Sequence, residues 1–224
     1  MKKGLIVFLS AILVFVLAAC GGDKKENTEE TTQFEVPEDE RVGEDEVVAV
    51  VNGEEVKGAV YNLVYTQLAL HAHQMQKETE NDELKEAALT SVIDRQIVLQ
   101  EAKKEAIEVT DKEAEEHLKK LKDESGDELE TLLQQYQISE SEFKDQLIFE
   151  LTLNDYMVKT VDVDVTEDEI KEYYEKAKEG TEDIPPYEEI KLQLEKQLLN
   201  DKTLETFQSH IDSIKEKSDI ETKI

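Results

Sequence analysis

The chain carries one strongly β-forming run, Val47-Val48-Ala49-Val50-Val51, followed at once by Asn52-Gly53 and the short segment Glu54-Glu55-Val56-Lys57. Asn-Gly is the strongest short hairpin signal, because both residues tolerate the positive φ of a tight two-residue turn. Strands are therefore expected at about 47–51 and 54–57. The last residues, Asp219-Ile220-Glu221-Thr222-Lys223-Ile224, alternate polar and apolar side chains, as an edge strand does. A lone terminal strand needs a partner for its backbone groups, and the segments available are those at 47–57. The two ends of a single domain, 46–224, are thus expected to meet in one small antiparallel sheet.

Between these ends nearly everything reads as helix. Val60, Leu63, Val64 and Leu68 recur at three and four and begin a helix running to about Lys77. Leu84, Ala88, Val92, Ile93, Ile97 and Ala102 mark a second, to about Ala106. Three capping boxes follow, Thr110 with Glu113, Ser139 with Glu142, and Thr166 with Glu169. In each, the hydroxyl accepts from the N3 amide while the glutamate reaches back to the N–H of the cap, so helices are expected to begin near 111, 140 and 167. A shorter helix, Glu128 to Tyr136, follows the Ser125-Gly126-Asp127 break. Gly180 closes the sixth helix, and Pro185-Pro186 opens a long last one from Tyr187 to about Lys217. Long helices with thin apolar stripes, in a chain only 38% hydrophobic, suggest an elongated, open arrangement with grooves.

The opening residues belong to a different kind of segment. Met1-Lys2-Lys3 precedes an uncharged apolar stretch, Gly4 to Ala19, which ends in Leu17-Ala18-Ala19-Cys20. A positive n-region, an apolar h-region and small residues before a cleavage point describe an export signal. The stretch falls short of the roughly 20 apolar residues that span a bilayer comfortably. Leu-Ala-Ala-Cys resembles the lipobox of bacterial lipoproteins, which implies diacylglyceryl transfer to the Cys20 thiol and cleavage before it. Two acyl chains anchor stably where one binds only reversibly. Since Cys20 is the sole cysteine, disulfides, thiol catalysis and Cys-ligated metals drop out.

Residues 20–45 then read as the lipidated cysteine and a disordered acidic tether, rich in Glu, Asp and Thr and poor in apolar side chains. Such a linker of about 25 residues reaches on the order of 30 Å from the membrane. Loss of Lys2 and Lys3 with the signal leaves 24 basic against 55 acidic residues, a net charge near −31. So acidic a surface repels phosphate backbones, which argues against nucleic acid, and favours solubility. It also suits the external proteins of salt- or alkali-tolerant bacteria.

Chemistry-bearing constellations are sparse. His71 and His73 stand two apart, which turns their rings roughly 200° from one another on a helix, and His117 and His210 are isolated. Carboxylate pairs abound but lack a nucleophile or Gly-rich loop beside them. Glu38-Asp39-Glu40 lacks the alternating ligands and central glycine of a calcium loop. No catalytic residue, metal or cofactor is implied. The stretch from Tyr61 through Tyr65 and Leu68 to Met75 is more suggestive, since Tyr and Met supply adaptable contact. Leu63, Tyr65 and Leu68 suit a plain core equally well. Tyr61, Tyr65, Leu68 and Met75, with Phe143, Leu147, Phe149 and Tyr156, are the candidate lining of a peptide groove.

The succession VVAVVNGEEV, SVIDRQIVLQEAKKEAIEVTDKEAEEHL, ISESEFKDQL and VTEDEIKEYYEKAKE, closed by the segment from Tyr187 to Ile224, is similar to the N-terminal chaperone domain of SurA and PrsA foldases with its returning helix and strand. The resemblance implies an elongated, mainly α, SurA N-terminal or trigger-factor-like peptide-binding domain, with a small antiparallel β element joining its ends. It implies as partners unfolded or nascent secreted polypeptides, met on the extracytoplasmic face of a Gram-positive cell membrane. In PrsA-like foldases a parvulin prolyl-isomerase domain sits between the sixth helix and the returning one. Here only Gly180-Thr181-Glu182-Asp183-Ile184-Pro185 lies there, so catalysis is not expected to carry over. An adaptor lipoprotein that docks one folded partner or homodimerises is the rival reading, and prolyl isomerisation by homology the third.

Overall fold

The computed structural model describes residues 36–224 apart from 77–78, 136–137 and 181–183. The signal segment 1–19, Cys20 and the acidic stretch up to residue 35 lie outside the described residues. Two strands, β1 (Val47–Val51) and β2 (Glu54–Lys57), form the expected hairpin. Asn52 and Gly53 turn it with φ of 52° and 84°, the two positive values that a type I′ turn requires. The strand β3 (Ile220–Thr222) pairs antiparallel with β1, opposite Ala49, Val50 and Val51, giving the order β2-β1-β3. The terminal strand does meet the hairpin in one sheet. The β1–β2 register slips between Val47 and Ala49. Such a bulge lets the consecutive Val48 and Ala49 both be fully buried.

Seven helices follow among the described residues: α1 (Gly58–Gln74), α2 (Asn81–Lys104), α3 (Asp111–Ser125), α4 (Asp127–Gln135), α5 (Glu140–Thr160), α6 (Glu167–Gly180) and α7 (Tyr187–Lys215). The capping boxes form as the residue types dictate. Thr110 and Ser139 accept from Glu113 and Glu142 N–H while those carboxylates accept from the cap N–H, and Thr166 with Glu169 repeats the pattern. α1 ends at Gln74, short of the expected Lys77, where Gln76 takes a φ of 50°. α2 begins at Asn81, a turn before the first apolar residue that marked it, Leu84.

The main core gathers around α2, whose Ala88, Val92, Ile93, Ile97, Val98 and Ala102 are buried against the sheet and against α1, α5 and α7. A separate small core of Leu118, Leu129 and Phe143 holds α3, α4 and the first turns of α5 together. α6 packs on the early part of α7, with Ile170 and Leu194 buried. One helix, α5, thus runs through both cores, and α7 links the α6 arm to the main one.

The structure departs from the expected tether at residues 36–45, which pack on the domain. Val36 is buried, and Glu38–Glu40 form a short 3-10 turn. Asn62 clasps Val42 through both backbone groups, accepting from its N–H at 3.0 Å and donating to its carbonyl at 2.8 Å. Glu40 accepts from the Tyr65 hydroxyl at 2.7 Å and from Asn81 at 2.5 Å. The strap also caps α1. That helix has no side-chain cap, and its first N–H groups, Gly58 and Ala59, donate to Glu46 and Glu44 carbonyls at 2.7 and 3.0 Å. Residues 36–46 are thus held on α1 although they carry few apolar side chains, because the start of the helix needs the strap's carbonyls.

α6 and α7 contact one another on either side of the six residues, 181–186, that separate them. The Tyr174 and Tyr187 rings meet edge to face at 5.4 Å, and Tyr174 donates to the Pro185 carbonyl at 3.1 Å. Glu167 binds Tyr187 and Lys191 across the junction. No further domain is inserted between these helices.

Candidate functional site

Three helices of the main core leave an apolar groove between them. α2 supplies Ser91, Asp94, Arg95 and Val98, α5 supplies Phe149, Leu153 and Met157, and α7 supplies Leu204, Glu205, Phe207, Gln208 and Ile211. The spacings are three, four and seven on α2 and four and eight on α5, and Leu204, Phe207, Gln208 and Ile211 repeat the first set on α7 with Glu205 at its edge. The open volume is about 520 Å³. That is within the roughly 300–1,000 Å³ of sites that hold small ligands, and its lining is dominated by aliphatic, aromatic and thioether side chains.

Hydrogen bonds hold the groove walls in register. The Tyr156 hydroxyl lies 2.8 Å from His210 Nε2, and its ring meets Phe207 edge-on with centroids 6.0 Å apart, which fixes α5 to α7. Burial, with Glu101 and Glu105 nearby, pushes the Tyr156 phenol up to about 12, so it stays a neutral donor or acceptor. Lys215 binds Asp94 at 2.7 Å and fixes α7 to α2. Arg95 stacks over the Phe149 ring at 4.2 Å and donates to Gln146 at 2.6 Å and to the Asp145 carbonyl at 3.3 Å. Burial pulls its guanidinium down to about 10, partly offset by Glu150 and Asp145, so it remains charged at neutral pH. Glu150, held by Gln146 at 2.8 Å, is raised by burial against the opposing effects of Gln146 and Arg95.

The eight candidate lining residues do not form one surface. Tyr61 and Tyr65 stack on each other at 6.0 Å and are each only 1% exposed. Burial and the bond to Glu40 raise the Tyr65 phenol. These are core residues, because the strap covers the face of α1 that the sequence leaves apparently open. Tyr156 is likewise buried, and Leu68 packs against the main core. Phe143 is buried in the small core with Leu147 packed beside it, and neither lines the main groove. Met75 stands exposed at the end of α1. Of the eight, Phe149 lines the groove.

Sequence reasoning missed Leu153, Met157, Leu204, Phe207 and Arg95. The signals were present as the four-residue rhythm 149, 153, 157 and the 204, 207, 211 stripe, but neither reveals that two distant stripes face one another. Arg95 carried a compositional signal, being one of two arginines among 26 basic residues. Among the described residues no cluster of three or more His, Cys, Asp or Glu is placed to hold a metal. Nor, among them, is any helix long and apolar enough to cross a membrane.

A family model of the SurA-like N-terminal domain matches residues 2–157, which take in the hairpin and α1 to most of α5. The foldase protein PrsA of Caldanaerobacter subterraneus subsp. tengcongensis is 30% identical over 195 residues, covering 81% of this chain and 54% of that protein. The chain therefore spans about half the length of that curated relative. With a matched region over most of its length and the hairpin, helices and returning strand all in place, the chain belongs to the SurA-like N-terminal domain family.

Proposed function

We propose that this protein is a membrane-anchored, extracytoplasmic, chaperone-like lipoprotein, lipidated at Cys20, that binds unfolded or emerging secreted polypeptides without catalysis. The observation that carries the reading is the open apolar groove between α2, α5 and α7 in a chain of this family. A flexible thioether and two phenyl rings in its lining accommodate varied side chains without demanding one sequence. The surplus of acidic residues over basic ones keeps a protein with an exposed apolar groove soluble while a client occupies it. The relative's name, foldase, is consistent with service to folding chains. The short α6–α7 connection supports binding without an isomerase step.

Purified residues 21–224 are expected to suppress aggregation of a denatured secreted protein at near-stoichiometric ratio. Leu204→Asp, which puts a charge on the groove wall at a half-buried position, should reduce that protection at least twofold while leaving the helical signal in circular dichroism intact. Absence of suppression together with absence of peptide binding would sink the reading. A proline-isomerisation assay on a model peptide should return the uncatalysed rate.

A further inference from the structure

Within the groove, Arg95 makes no direct ion pair, and the carboxylates that act on its charge, Glu150 and Asp145, do so at longer range. Among the described residues no carboxylate lies within 4 Å of it, although Asp94 beside it pairs with Lys215. Its guanidinium has five N–H donors. Protein acceptors take two of them, Gln146 Oε1 and the Asp145 carbonyl, both neutral. Phe149 covers one face of the group, Arg95 is among the residues that line the groove, and three of its N–H donors have no acceptor among the described residues. Such a fork matches a carboxylate in two parallel hydrogen bonds, which a lysine cannot do. In a chain that meets nearly every other need for positive charge with lysine, an arginine at this place is chemically specific.

We propose that Arg95 selects the groove's occupant: an extended apolar polypeptide segment that carries an internal Asp or Glu side chain, whose carboxylate pairs with the Arg95 guanidinium. This rests on the chaperone reading above and names the class of client segment. The lining continues on both sides of Arg95, to Ser91 and to Val98, which suits a side chain within a passing segment better than a chain terminus. The protein's general negative charge does not forbid this. Exposed charges beyond about 8 Å are screened at physiological salt, whereas a half-buried pair inside the groove is screened far less. A segment with several acids meets the acidic exterior and Glu205 in the lining, whereas Asp94 is offset by Lys215, so selection falls on a single carboxylate among apolar neighbours.

The test uses full-length protein in lipid nanodiscs and fluorescence polarisation of labelled twelve-residue peptides of alternating Leu, Phe and Ser with either Asp or its isostere Asn at the centre. The Asp peptide should bind about tenfold more tightly, the worth of one charge-assisted hydrogen-bonded pair. Arg95→Met should bring the ratio to about one, and Arg95→Lys should leave an intermediate ratio. Equal affinity of the two peptides for the unmodified protein overturns the proposal, whether or not the Met variant folds. So does a preference that persists in a folded Arg95→Met protein, or one that follows a free against an amidated C-terminus instead of the central residue. Failure of every peptide to bind removes the chaperone reading as well, whereas equal binding removes only the role of Arg95.

Discussion

Asn52 does two jobs that no other residue type combines as well. Its φ of 52° lies in the left-handed region, which Asn tolerates and Ala resists by about 1–2 kcal/mol. Its side chain also ties three elements together, accepting from Asp219 N–H at 2.9 Å and donating to Gln100 at 2.8 Å and Ser218 at 3.3 Å. Asn52→Ala is therefore expected to cost about 2 kcal/mol, and Asn52→Gly about 1 kcal/mol because only the bonds are lost. Urea unfolding midpoints measure both, and equal losses would refute the split. At Gly58 the constraint is space. A Cβ there would lie 2.0 Å from the Gly43 carbonyl oxygen and 2.8 Å from Val42 Cγ2, so backbone must move. Ala would gain up to about 1 kcal/mol of helix propensity, but the clash costs about 1–3 kcal/mol and wins. Gly58→Ala should both lower stability and quicken proteolysis between residues 36 and 46, where the strap is displaced.

At the scale of elements, the helices begin where short-range hydrogen bonding tells them to, and this is why they could be read in advance. A hydroxyl three residues before a glutamate is a local device, and all three such pairs cap helices. α6 shows what the device adds beyond its own turn. Glu169 accepts from Lys202 of α7 at 2.7 Å and from Thr166 N–H, and these bonds, with the Thr166 hydroxyl, hold its carboxyl down at about 2. A depressed folded pKa contributes stability above the ordinary glutamate value, and that contribution fades as pH falls from about 4.5 toward 2. The group is solvent-exposed, so the effect is small. Glu169→Gln should flatten the fall of the urea midpoint between pH 5 and pH 2.5, and an unchanged pH profile would count against the Lys202 contact. α1 lies at the opposite extreme. Its cap is the backbone of a segment that composition marks as tether, and nothing in residues 36–46 announces this except Val36 and Val42, isolated among acids.

In the whole molecule the sheet closes the chain on itself. β3 covers the free edge of β1, with Asn52 N–H donating to the Asp219 carbonyl at 2.7 Å and Lys223 N–H to the Val48 carbonyl at 2.9 Å. Removing residues 219–224 would expose that edge and half-buried Ile220's contact with the core. A loss of about 3 kcal/mol, roughly 10 °C in Tm, is expected from a few backbone bonds at about 1 kcal/mol each, together with faster aggregation through the bared strand. Differential scanning calorimetry and turbidity would measure the two. The anchoring of α7 by β3 also matters to the groove, since Leu204, Phe207 and Ile211 form its third wall.

Hairpin, helix starts, the break at Gly126 and the meeting of the terminal strand with the hairpin were legible because each depends on residues within about four positions, or on the bare need of a strand for a partner. The groove was not. Which stripe of a helix is core and which is wall depends on what packs against it, and the partners of Phe149 lie on α2, more than 50 residues before, and on α7, more than 50 residues after. Tyr61 and Tyr65 look like binding residues in one dimension and are sealed by a strap that only three-dimensional packing brings to them. Local hydrogen-bond chemistry wrote the elements, and burial, which is non-local and indifferent to order along the chain, chose the faces that remain open.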